Sequence, residues 1–552
     1  MLGIRANRWA QLQDGGCCRR RVRLGCLVVI LSAVAGPLGL PAARVSGAGT
    51  ITSTASLVPV VACTRTGSYV PQWTWTSETG FGTVEWCGLY VPSDGQLFVA
   101  ANASVEVLDQ SFEALLAVGI DSQTRPEAGT LRYVNVYQSA PDIQSEPLGS
   151  ARPAAISALK PVSAGYHYVS FLATRYNGPG TVSLRYPTLS AIFIPANSDV
   201  RTCQVHGDQL WTTGVSDHFA VVGESQAGPR VQCTVSIPNQ NGYLFISADA
   251  SVGEVWSALT AQGDDQTGVT SKAIGPQDDY GCELSGHGDY QGYFRASVDG
   301  LDDRNSDRIV NVYCHDGGDG TDKTAALSVL RRVNPEQLKP GMDHTVYLAA
   351  RRDASSTSTL LNVKDPTLSV IFLPDSGFTA QACGSPPPKD PHQTDDEYWN
   401  QWGTWMSGSY SFSNIRQCSA SVPAGGWAFI STSASAARLP ADCNPPDPDV
   451  CGPYRAEFRL GIDTTAGAEE TRRLVSIYDD PAGSTPGAVD GTDEAIAIMV
   501  VIPLAGGDHT FHFVGRRLDQ TGGEAFLLYP NLTVITFVVP NSRVFLPVTL
   551  EP

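Results

Sequence analysis

The stretch of sequence that decides the fold occurs three times, as PTLSAIFIP at 187–195, PTLSVIFLP at 366–374 and PNLTVITFVVP at 530–540. Each copy begins and ends with proline, and apolar residues alternate with Ser or Thr before a short apolar run. β-Branched and aromatic residues in this pattern are typical of a buried β-strand with a turn on either side. The chain is therefore predicted to contain three equivalent strands, each closing one unit of an internal repeat.

The segments upstream of these strands also match one another, in the same order. Each closing strand follows a segment with an aligned histidine: AGYHYVSFLATR at 164–175, PGMDHTVYLAARR at 340–352 and GGDHTFHFVGRR at 506–517. Farther upstream are the motifs RYVNVY, RIVNVY and RLVSIY, and each unit begins with a pair of cysteines. Because so many matches keep the same order, the sequence is triplicated.

The repeat predicts an all-β fold, with three tandem antiparallel β-sandwich (jelly-roll-like) domains after an N-terminal signal peptide. Apolar and polar residues alternate with a period of two, and no segment shows a convincing 3.6-residue apolar stripe. The segment at 324–333 resembles a helix, but its counterpart at 493–502 is rich in β-branched residues, so both are predicted to be strands. The predicted boundaries place a signal and cleavage region at 1–48 and a linker at 49–62. Repeat 1 spans 63–199, repeat 2 spans 200–379 and contains an Asp/Gly-rich insertion, and repeat 3 spans 380–542. A tail follows at 543–552.

The N-terminal residues carry the features of a secretory signal. A cluster of arginines within 19–23 precedes an apolar run at 24–40, and small residues at 33–35 and 46–48 offer cleavage positions. No later apolar stretch approaches the length of a membrane-spanning helix. We therefore predict a secreted or cell-surface protein without a membrane span after cleavage, with an uncleaved signal anchor as the alternative.

The cysteine count agrees with export. Ten of the 13 cysteines lie outside the signal, and an even number in an exported chain indicates disulfides. Matching cysteines pair within each repeat, and the other four then pair within repeats 2 and 3. The predicted bonds are Cys63–Cys87, Cys203–Cys233, Cys383–Cys418, Cys282–Cys314 and Cys443–Cys451.

The charge balance excludes nucleic acid as a partner. Lys and Arg total 37 against 55 Asp and Glu, so the net charge is −18, and it becomes −24 when the seven Arg and one Asp within 1–48 are removed. A protein that binds phosphate backbones needs clustered Lys and Arg, which this chain lacks. The expected partners are extracellular glycans or proteins, and the oligomeric state stays open.

The three aligned histidines, His167, His344 and His509, attract attention as catalytic candidates, but we predict a structural role. Each opens a strand after a glycine, where an imidazole can bond local backbone and fix the hairpin. A catalytic base would need a nucleophile or acid within hydrogen-bonding reach, and the chain has no G-x-S-x-G or H-E-x-x-H motif. We therefore predict that the protein is not an enzyme and assign no catalytic residue.

Tryptophan-rich segments between the first and second cysteine of each repeat are the best indication of a binding surface. Exposed aromatic faces are platforms for sugar rings, although tryptophan also fills cores and covers sheet edges. The candidate ligand-binding residues are Trp73, Trp75, Trp211, Trp399, Trp402 and Trp405.

No cofactor is predicted, but two Asp- and Gly-rich loops, at 315–322 and 490–493, offer the oxygen ligands that Ca²⁺ prefers. Neither loop has the glutamate that closes an EF-hand, and an Asp/Gly hairpin turn explains the same residues. The candidate ligands of a structural calcium ion are Asp316, Asp319, Asp322, Asp490 and Asp493.

The second half of each repeat, with segments such as PGMDHTVYLAARR followed by PTLSVIFLP, resembles the last strands of C1q/TNF-like jelly rolls. Similar sandwich modules occur in secreted bacterial surface proteins. The resemblance covers roughly the last 60 residues of each repeat and rests on strand patterning. It implies trimers and ligand binding rather than catalysis. Repeats of this size predict beads on a string, and a pseudo-trimer of the three repeats within one chain is the alternative.

Together these features predict a non-catalytic secreted or cell-surface protein that acts in adhesion, recognition or envelope structure. Its binding sites are expected in the loops, where scaffolds usually carry function. Carbohydrate binding through the tryptophan-rich segments is the first alternative. A hydrolase that uses paired loop carboxylates is the second, because two carboxyl groups are enough to hydrolyse a glycosidic bond.

Overall fold

The protein folds as an assembly of antiparallel β-strands. The computed structural model describes residues 61–66, 72–76, 80–136, 151–196, 199–207, 210–212, 218–224, 230–253, 290–300, 306–312, 323–352, 361–383, 404–406, 411–437, 454–477, 494–518 and 525–538. All of them belong to one compact unit, Ala55–Pro552. A 3₁₀ helix occupies Glu469–Thr471. Within these residues no helix is long and apolar enough to cross a membrane.

Repeat 1 is a sandwich of two antiparallel sheets. Its strands are β1 Val61–Thr66, β2 Gln72–Trp75, β3 Gly82–Val91, β4 Gly95–Glu106, β5 Phe112–Ile120, β6 Arg132–Val136, β7 Ala151–Val162, β8 Gly165–Asn177 and β9 Val182–Pro195. One sheet has the order β1-β9-β4-β7, with β2 also paired to β9, and the other has the order β3-β8-β5-β6. Since neighbours in each sheet come from distant parts of the repeat, the connections cross between the sheets as in a jelly roll.

Repeat 2 has the same arrangement. Its strands are β10 Arg201–His206, β11 Leu210–Thr212, β12 Ala220–Val221, β13 Gln232–Ser236, β14 Gly242–Gly253, β15 Tyr290–Val298, β16 Arg308–Val312, β17 Lys323–Val333, β18 Asp343–Arg352 and β19 Leu361–Pro374. One sheet has the order β10-β19-β14-β17, with β11 also on β19. The other has the order β12-β18-β15-β16, with β13 also on β18.

Repeat 3 repeats this topology again. Its strands are β20 Phe378–Cys383, β21 Thr404–Met406, β22 Ser413–Val422, β23 Gly426–Ala437, β24 Tyr454–Ile462, β25 Arg473–Ile477, β26 Glu494–Pro503, β27 Gly507–Arg517 and β28 Ala525–Val538. The sheets have the orders β20-β28-β23-β26, with β21 on β28, and β22-β27-β24-β25. The all-β, jelly-roll-like class is thus confirmed, and the two ambiguous segments are strands β17 and β26, as predicted.

Three disulfides join the first strand of each repeat to the opposite sheet. Cys63–Cys87, Cys203–Cys233 and Cys383–Cys418 have Cα–Cα distances of 6.1, 6.0 and 5.4 Å. Each closes a loop of 24 to 35 residues, so each stabilises the fold by about 3–4 kcal/mol in the chain-entropy model. The four cysteines of the other predicted bonds, Cys282, Cys314, Cys443 and Cys451, lie outside the described residues. The three bonds indicate an oxidising environment.

Each repeat has a core between its own two sheets, and a fourth core takes residues from all three repeats. At the centre of this shared core the rings of Phe98, Phe245 and Phe429 meet edge to face, with centroid distances of 5.8, 5.7 and 5.2 Å. These phenylalanines occupy equivalent positions of β4, β14 and β23, so the repeats surround a pseudo-threefold axis. The expectation of beads on a string is wrong, because both faces of these strands are buried.

At each junction between repeats, a buried arginine of one repeat inserts into the next repeat. Arg132 of repeat 1 enters repeat 2, where its Nε donates to Asp249 Oδ1 at 2.7 Å and its Nη1 to the carbonyl oxygen of Asp365 at 2.7 Å. Asp365 has a φ of 48° at a bulge in β19, which turns this carbonyl towards the neighbouring repeat. Both members of the Arg132–Asp249 ion pair are buried.

The same contact recurs at the other two junctions. Arg308 of repeat 2 donates to Ser433 Oγ of repeat 3. Arg473 of repeat 3 donates to the carbonyl oxygen of Tyr186 at 2.9 Å and to Thr188 Oγ1 at 2.8 Å, both in repeat 1. Since repeat 1 contacts repeat 2, repeat 2 contacts repeat 3 and repeat 3 contacts repeat 1, the head-to-tail interfaces form a closed ring within one chain.

Candidate binding face

The three aligned histidines each clamp a turn. Their Nδ1 atoms lie 2.7, 2.6 and 2.7 Å from an aspartate Oδ2, and their Nε2 atoms lie 2.8, 2.9 and 2.9 Å from an upstream carbonyl oxygen. The second carboxylate oxygen accepts the backbone N–H that follows each histidine, at 3.1, 2.9 and 2.8 Å. The pairs are His167–Asp121, His344–Asp299 and His509–Asp463.

Each of these aspartates has a positive φ, of 54°, 58° and 56°, just after the strand that carries it. Such a backbone is unfavourable for residues other than glycine, and the three hydrogen bonds of the clamp stabilise it. Both ring nitrogens of each histidine thus lie within hydrogen-bonding distance of an oxygen of the turn. This geometry holds the imidazole in place against the hairpin.

The third clamp makes folding stability depend on pH. The hydrogen bond to Asp463 and that to the Ala505 carbonyl raise the pKa of His509. The Thr510 N–H and His509 lower the pKa of Asp463. The histidine's contribution is therefore complete below its unfolded pKa of about 6.5 and is lost as pH rises through the folded pKa, whereas the carboxylate's contribution is lost at acid pH.

We expect His509→Gln to lower the free energy of unfolding by less than about 1 kcal/mol, because Asp463 is half-exposed. The loss should be greatest between pH 5 and 6 and should shrink towards pH 9. Denaturant titrations at several pH values measure it, with His509→Gln/Asp463→Asn as the matched double variant without the pair. A difference from wild type that is the same at pH 5 and pH 9 would contradict the clamp.

Buried carboxylates in the described residues are neutralised by cations. Glu457, which is fully buried, lies 2.9 Å from Arg516 Nη2 and 3.1 Å from Arg472 Nη2. Glu494 lies 2.9 Å from Lys323 Nζ, on the β26 and β17 strands that meet at the axis. Each of these two carboxylates is therefore engaged by cations within the packing.

Two cavities within the described part of the chain also lack a pair of carboxylates. One lies on the axis beside the three phenylalanines and is lined by apolar side chains alone. The other is a surface cleft beside the end of β9, where Asp199 is the sole carboxylate in the lining and faces the same space as Arg201. Neither resembles the two-carboxyl arrangement of a glycosidase.

The calcium candidates Asp316, Asp319, Asp322, Asp490 and Asp493 all lie outside the described residues. Among the residues that are described, no three or more His, Cys, Asp or Glu side chains are grouped so that they could hold a metal ion. A structural calcium ion therefore stays a prediction from the sequence.

The tryptophan candidates that can be placed are partly covered. Trp73 and Trp75 of β2 stack on each other at a centroid distance of 5.5 Å, pack against the core of repeat 1 and lie over Gly82. Trp211 in β11 and Trp405 in β21 occupy equivalent added strands, of which only the backbone is described. Trp399 and Trp402 lie outside the described residues.

A different group of aromatic residues is exposed on repeat 1. Tyr90, Tyr166 and Tyr168 keep 54%, 55% and 38% of their surface, although all three lie in the middle or at the end of long strands. They project from the outer face of the β3–β8 pair, since the alternate residues Cys87, Leu89 and Val169 point into the core. We call Trp86, Gly88, Tyr90, Tyr166 and Tyr168 the aromatic face.

The register of β3 and β8 brings these side chains together. Tyr90 lies opposite Tyr166, and Gly88 lies opposite Tyr168. The rings of Tyr166 and Tyr168 are 6.4 Å apart. A Cβ atom on Gly88 would lie 2.2 Å from Tyr166 Oη, so the glycine allows the Tyr166 side chain to lie across the strand. The Tyr166 and Tyr168 rings are inclined at 64° to each other, so the result is a group of exposed ring surfaces with phenol hydroxyl groups.

The other two repeats have small or polar residues at these positions. Alignment on Cys87, Cys233 and Cys418 and on the clamp histidines shows the replacements. In repeat 2 the face is Gln232, Thr234, Ser236, Asp343 and Thr345, and in repeat 3 it is Gln417, Ser419, Ser421, Asp508 and Thr510. Sequence reasoning about tryptophan alone missed this face, but comparing the three repeats position by position would have found it.

Comparisons with known proteins give only distant similarity. No family model matches the chain, and no curated protein matches it significantly in sequence. A solved structure of PNGase F, a glycosylasparaginase from Flavobacterium meningosepticum, covers 61% of this chain and 96% of its own at 9% identity and a TM-score of 0.23. A structure described as the triple jelly roll fold and turret assembly of an archaeal virus covers 84% and 94%, at 7% identity and a TM-score of 0.15.

The tandem carbohydrate-binding modules CBM22-1 and CBM22-2 of Xyn10C from Paenibacillus barcinonensis cover 56% of this chain and 91% of their own, at 9% identity and a TM-score of 0.13. These TM-scores are too low for any of the three similarities to indicate a shared function.

Proposed function

We propose that this chain is a secreted, non-catalytic protein that acts in adhesion, recognition or envelope structure. Its three β-sandwich repeats would form a rigid scaffold that presents binding surfaces on its outer sheets. The observation that carries the proposal is the closed ring of repeats, in which buried arginines join each unit to the next. Such a ring fixes the outer faces relative to one another, which favours recognition over movement.

The state of the ionisable groups supports a non-catalytic role. Both ring nitrogens of the three histidines contact oxygens of their own turns, and the buried carboxylates Glu457 and Glu494 are paired with cations. Trimers and ligand binding, which the resemblance to C1q/TNF-like jelly rolls implies, are part of the same proposal, with the three repeats of one chain in place of three chains. The disulfides and the predicted N-terminal signal favour an extracellular location.

The test is a search for turnover with the exported full-length protein. We expect no release of reducing ends from polysaccharides and no cleavage of peptide, ester or amide substrates above that of a heat-denatured sample. Hydrolysis that a single Asp→Asn or Glu→Gln substitution abolishes would overturn the proposal. The intact mass of the same exported protein shows whether residues within 1–48 have been removed.

A further inference from the structure

The aromatic face of repeat 1 is not needed for folding. Repeats 2 and 3 build the same pair of strands, with the same disulfide and the same histidine clamp, from Ser, Thr, Gln and Asp. Thr234 and Thr345, which replace Gly88 and Tyr168, simply share a hydrogen bond at 3.3 Å. Exposed tyrosines at these positions therefore have a cause other than the stability of the sandwich.

The chemistry of the face restricts what can bind there. Its described positions carry ring faces and phenol hydroxyls and no charged side chain, on a chain with a net charge of −18. The nearby Asp121 is paired with His167. An anionic ligand would be repelled by the protein as a whole, and a cationic one would find no carboxylate on the face. A neutral ligand with both apolar surface and hydroxyl groups is complementary.

The size of the face favours a small repeating ligand over a protein surface. The three tyrosines, each about half exposed, offer together roughly 300 Å². A stable protein interface needs about 800 Å² from each partner. Stacking on aromatic rings needs less area, because each ring engages one flat ligand unit at a time, and the phenol hydroxyls can then bond ligand hydroxyls at the rim.

We propose that the aromatic face of repeat 1 binds a neutral polysaccharide, with sugar rings stacked on Tyr90, Tyr166 and Tyr168. This inference deepens the proposed function, on which it rests, by naming the ligand class and by restricting the site to one of the three repeats. It also moves the carbohydrate site from the tryptophan-rich segments to the outer face of β3 and β8.

The experiment is affinity electrophoresis of the full-length exported protein in gels containing hydroxyethylcellulose, galactomannan or laminarin, together with pull-down on cellulose and chitin. The variant Tyr90→Ser/Tyr166→Asp/Tyr168→Thr places the residues of repeat 2 on repeat 1, so the fold already tolerates them. We expect at least one polysaccharide to bind wild type and the variant to bind it at least about 30-fold more weakly. An unchanged thermal midpoint confirms that the variant is folded.

Two matched variants separate stacking from other effects. Tyr166→Phe/Tyr168→Phe keeps the rings and should lose much less affinity than the triple variant. Ser236→Tyr/Asp343→Tyr/Thr345→Tyr adds tyrosines to repeat 2 and is the control for non-specific adsorption to aromatic side chains. Introduced into a chain that lacks the aromatic face of repeat 1, it should not restore binding. The reason is that Thr234 occupies the position of Gly88 and blocks the space that Tyr166 uses in repeat 1.

Several outcomes would overturn the assignment. The first is that the wild type binds none of the five polysaccharides, and the second is that the triple variant binds as tightly as the wild type. The third is that sedimentation shows a wild-type dimer that the triple variant abolishes, which would make the face a contact between copies of the chain. Release of reducing ends from a bound polysaccharide would contradict the non-catalytic proposal while leaving the face intact. If the wild type neither binds a polysaccharide nor releases reducing ends from it, the assignment of the face as a binding site fails and the non-catalytic proposal stands.

Discussion

Replacing Arg132 by methionine is expected to lower the free energy of unfolding by about 3–5 kcal/mol. The substitution leaves the buried carboxylate of Asp249 without its cation, at the junction between repeats 1 and 2. Asp249 keeps hydrogen bonds from the Ser157 backbone N–H at 2.9 Å and from its hydroxyl, but these neutral donors do not compensate a buried charge. Equilibrium denaturation in urea measures the loss.

The triplicated chain provides a matched control for this prediction. Arg473 occupies the same position in repeat 3, but its partners are the Tyr186 carbonyl and Thr188, and burial lowers its pKa to about 9. Because Arg473→Met leaves only neutral groups without their donor, it should lower the free energy of unfolding by about 1–3 kcal/mol. The double variant Arg132→Met/Asp249→Leu should recover part of the loss of Arg132→Met. Equal losses in Arg132→Met and Arg473→Met would rule out the ion pair as the cause.

The second large effect is expected at the axis. Phe245→Ala should lower the free energy of unfolding by about 3–5 kcal/mol, because Phe245 is buried and contacts Phe98 and Phe429 of the two other repeats. The cavity cannot collapse easily, since each wall belongs to a separate sandwich with its own disulfide. Denaturant unfolding followed by tryptophan fluorescence measures the effect.

Two other variants calibrate this result. Phe245→Leu keeps most of the side-chain volume and should cost less than about half as much as Phe245→Ala. Leu108→Ala, at a position that is 45% exposed, should change stability by less than about 0.5 kcal/mol. If Phe245→Ala were no more destabilising than Leu108→Ala, the shared core would not hold the repeats together, and independent repeats would again describe the protein.

Local patterns were enough to predict the strands, the repeat and the three placed disulfides. The period-two alternation in segments such as 366–374 is set by which face of a strand meets a core, and this is written in neighbouring residues. Cys63 and Cys87 could be paired from sequence because the same spacing rule recurs at Cys203 and Cys233. The candidate site was harder, since the exposed fraction of an aromatic residue depends on what packs against it.

What only the tertiary structure decided is how the repeats meet. The equivalence of Phe98, Phe245 and Phe429 is visible in the sequence, but their contact joins positions more than 140 residues apart. The sequence likewise shows Arg132 as one more charged residue at a strand start, and nothing local indicates that it inserts beside Asp249.

The sequence by itself therefore determined the units, because strand formation depends on the pattern of adjacent side chains. The tertiary structure decided their closure into a ring and the difference between partly covered tryptophans and exposed tyrosines. Both depend on contacts between surfaces that are far apart in the sequence.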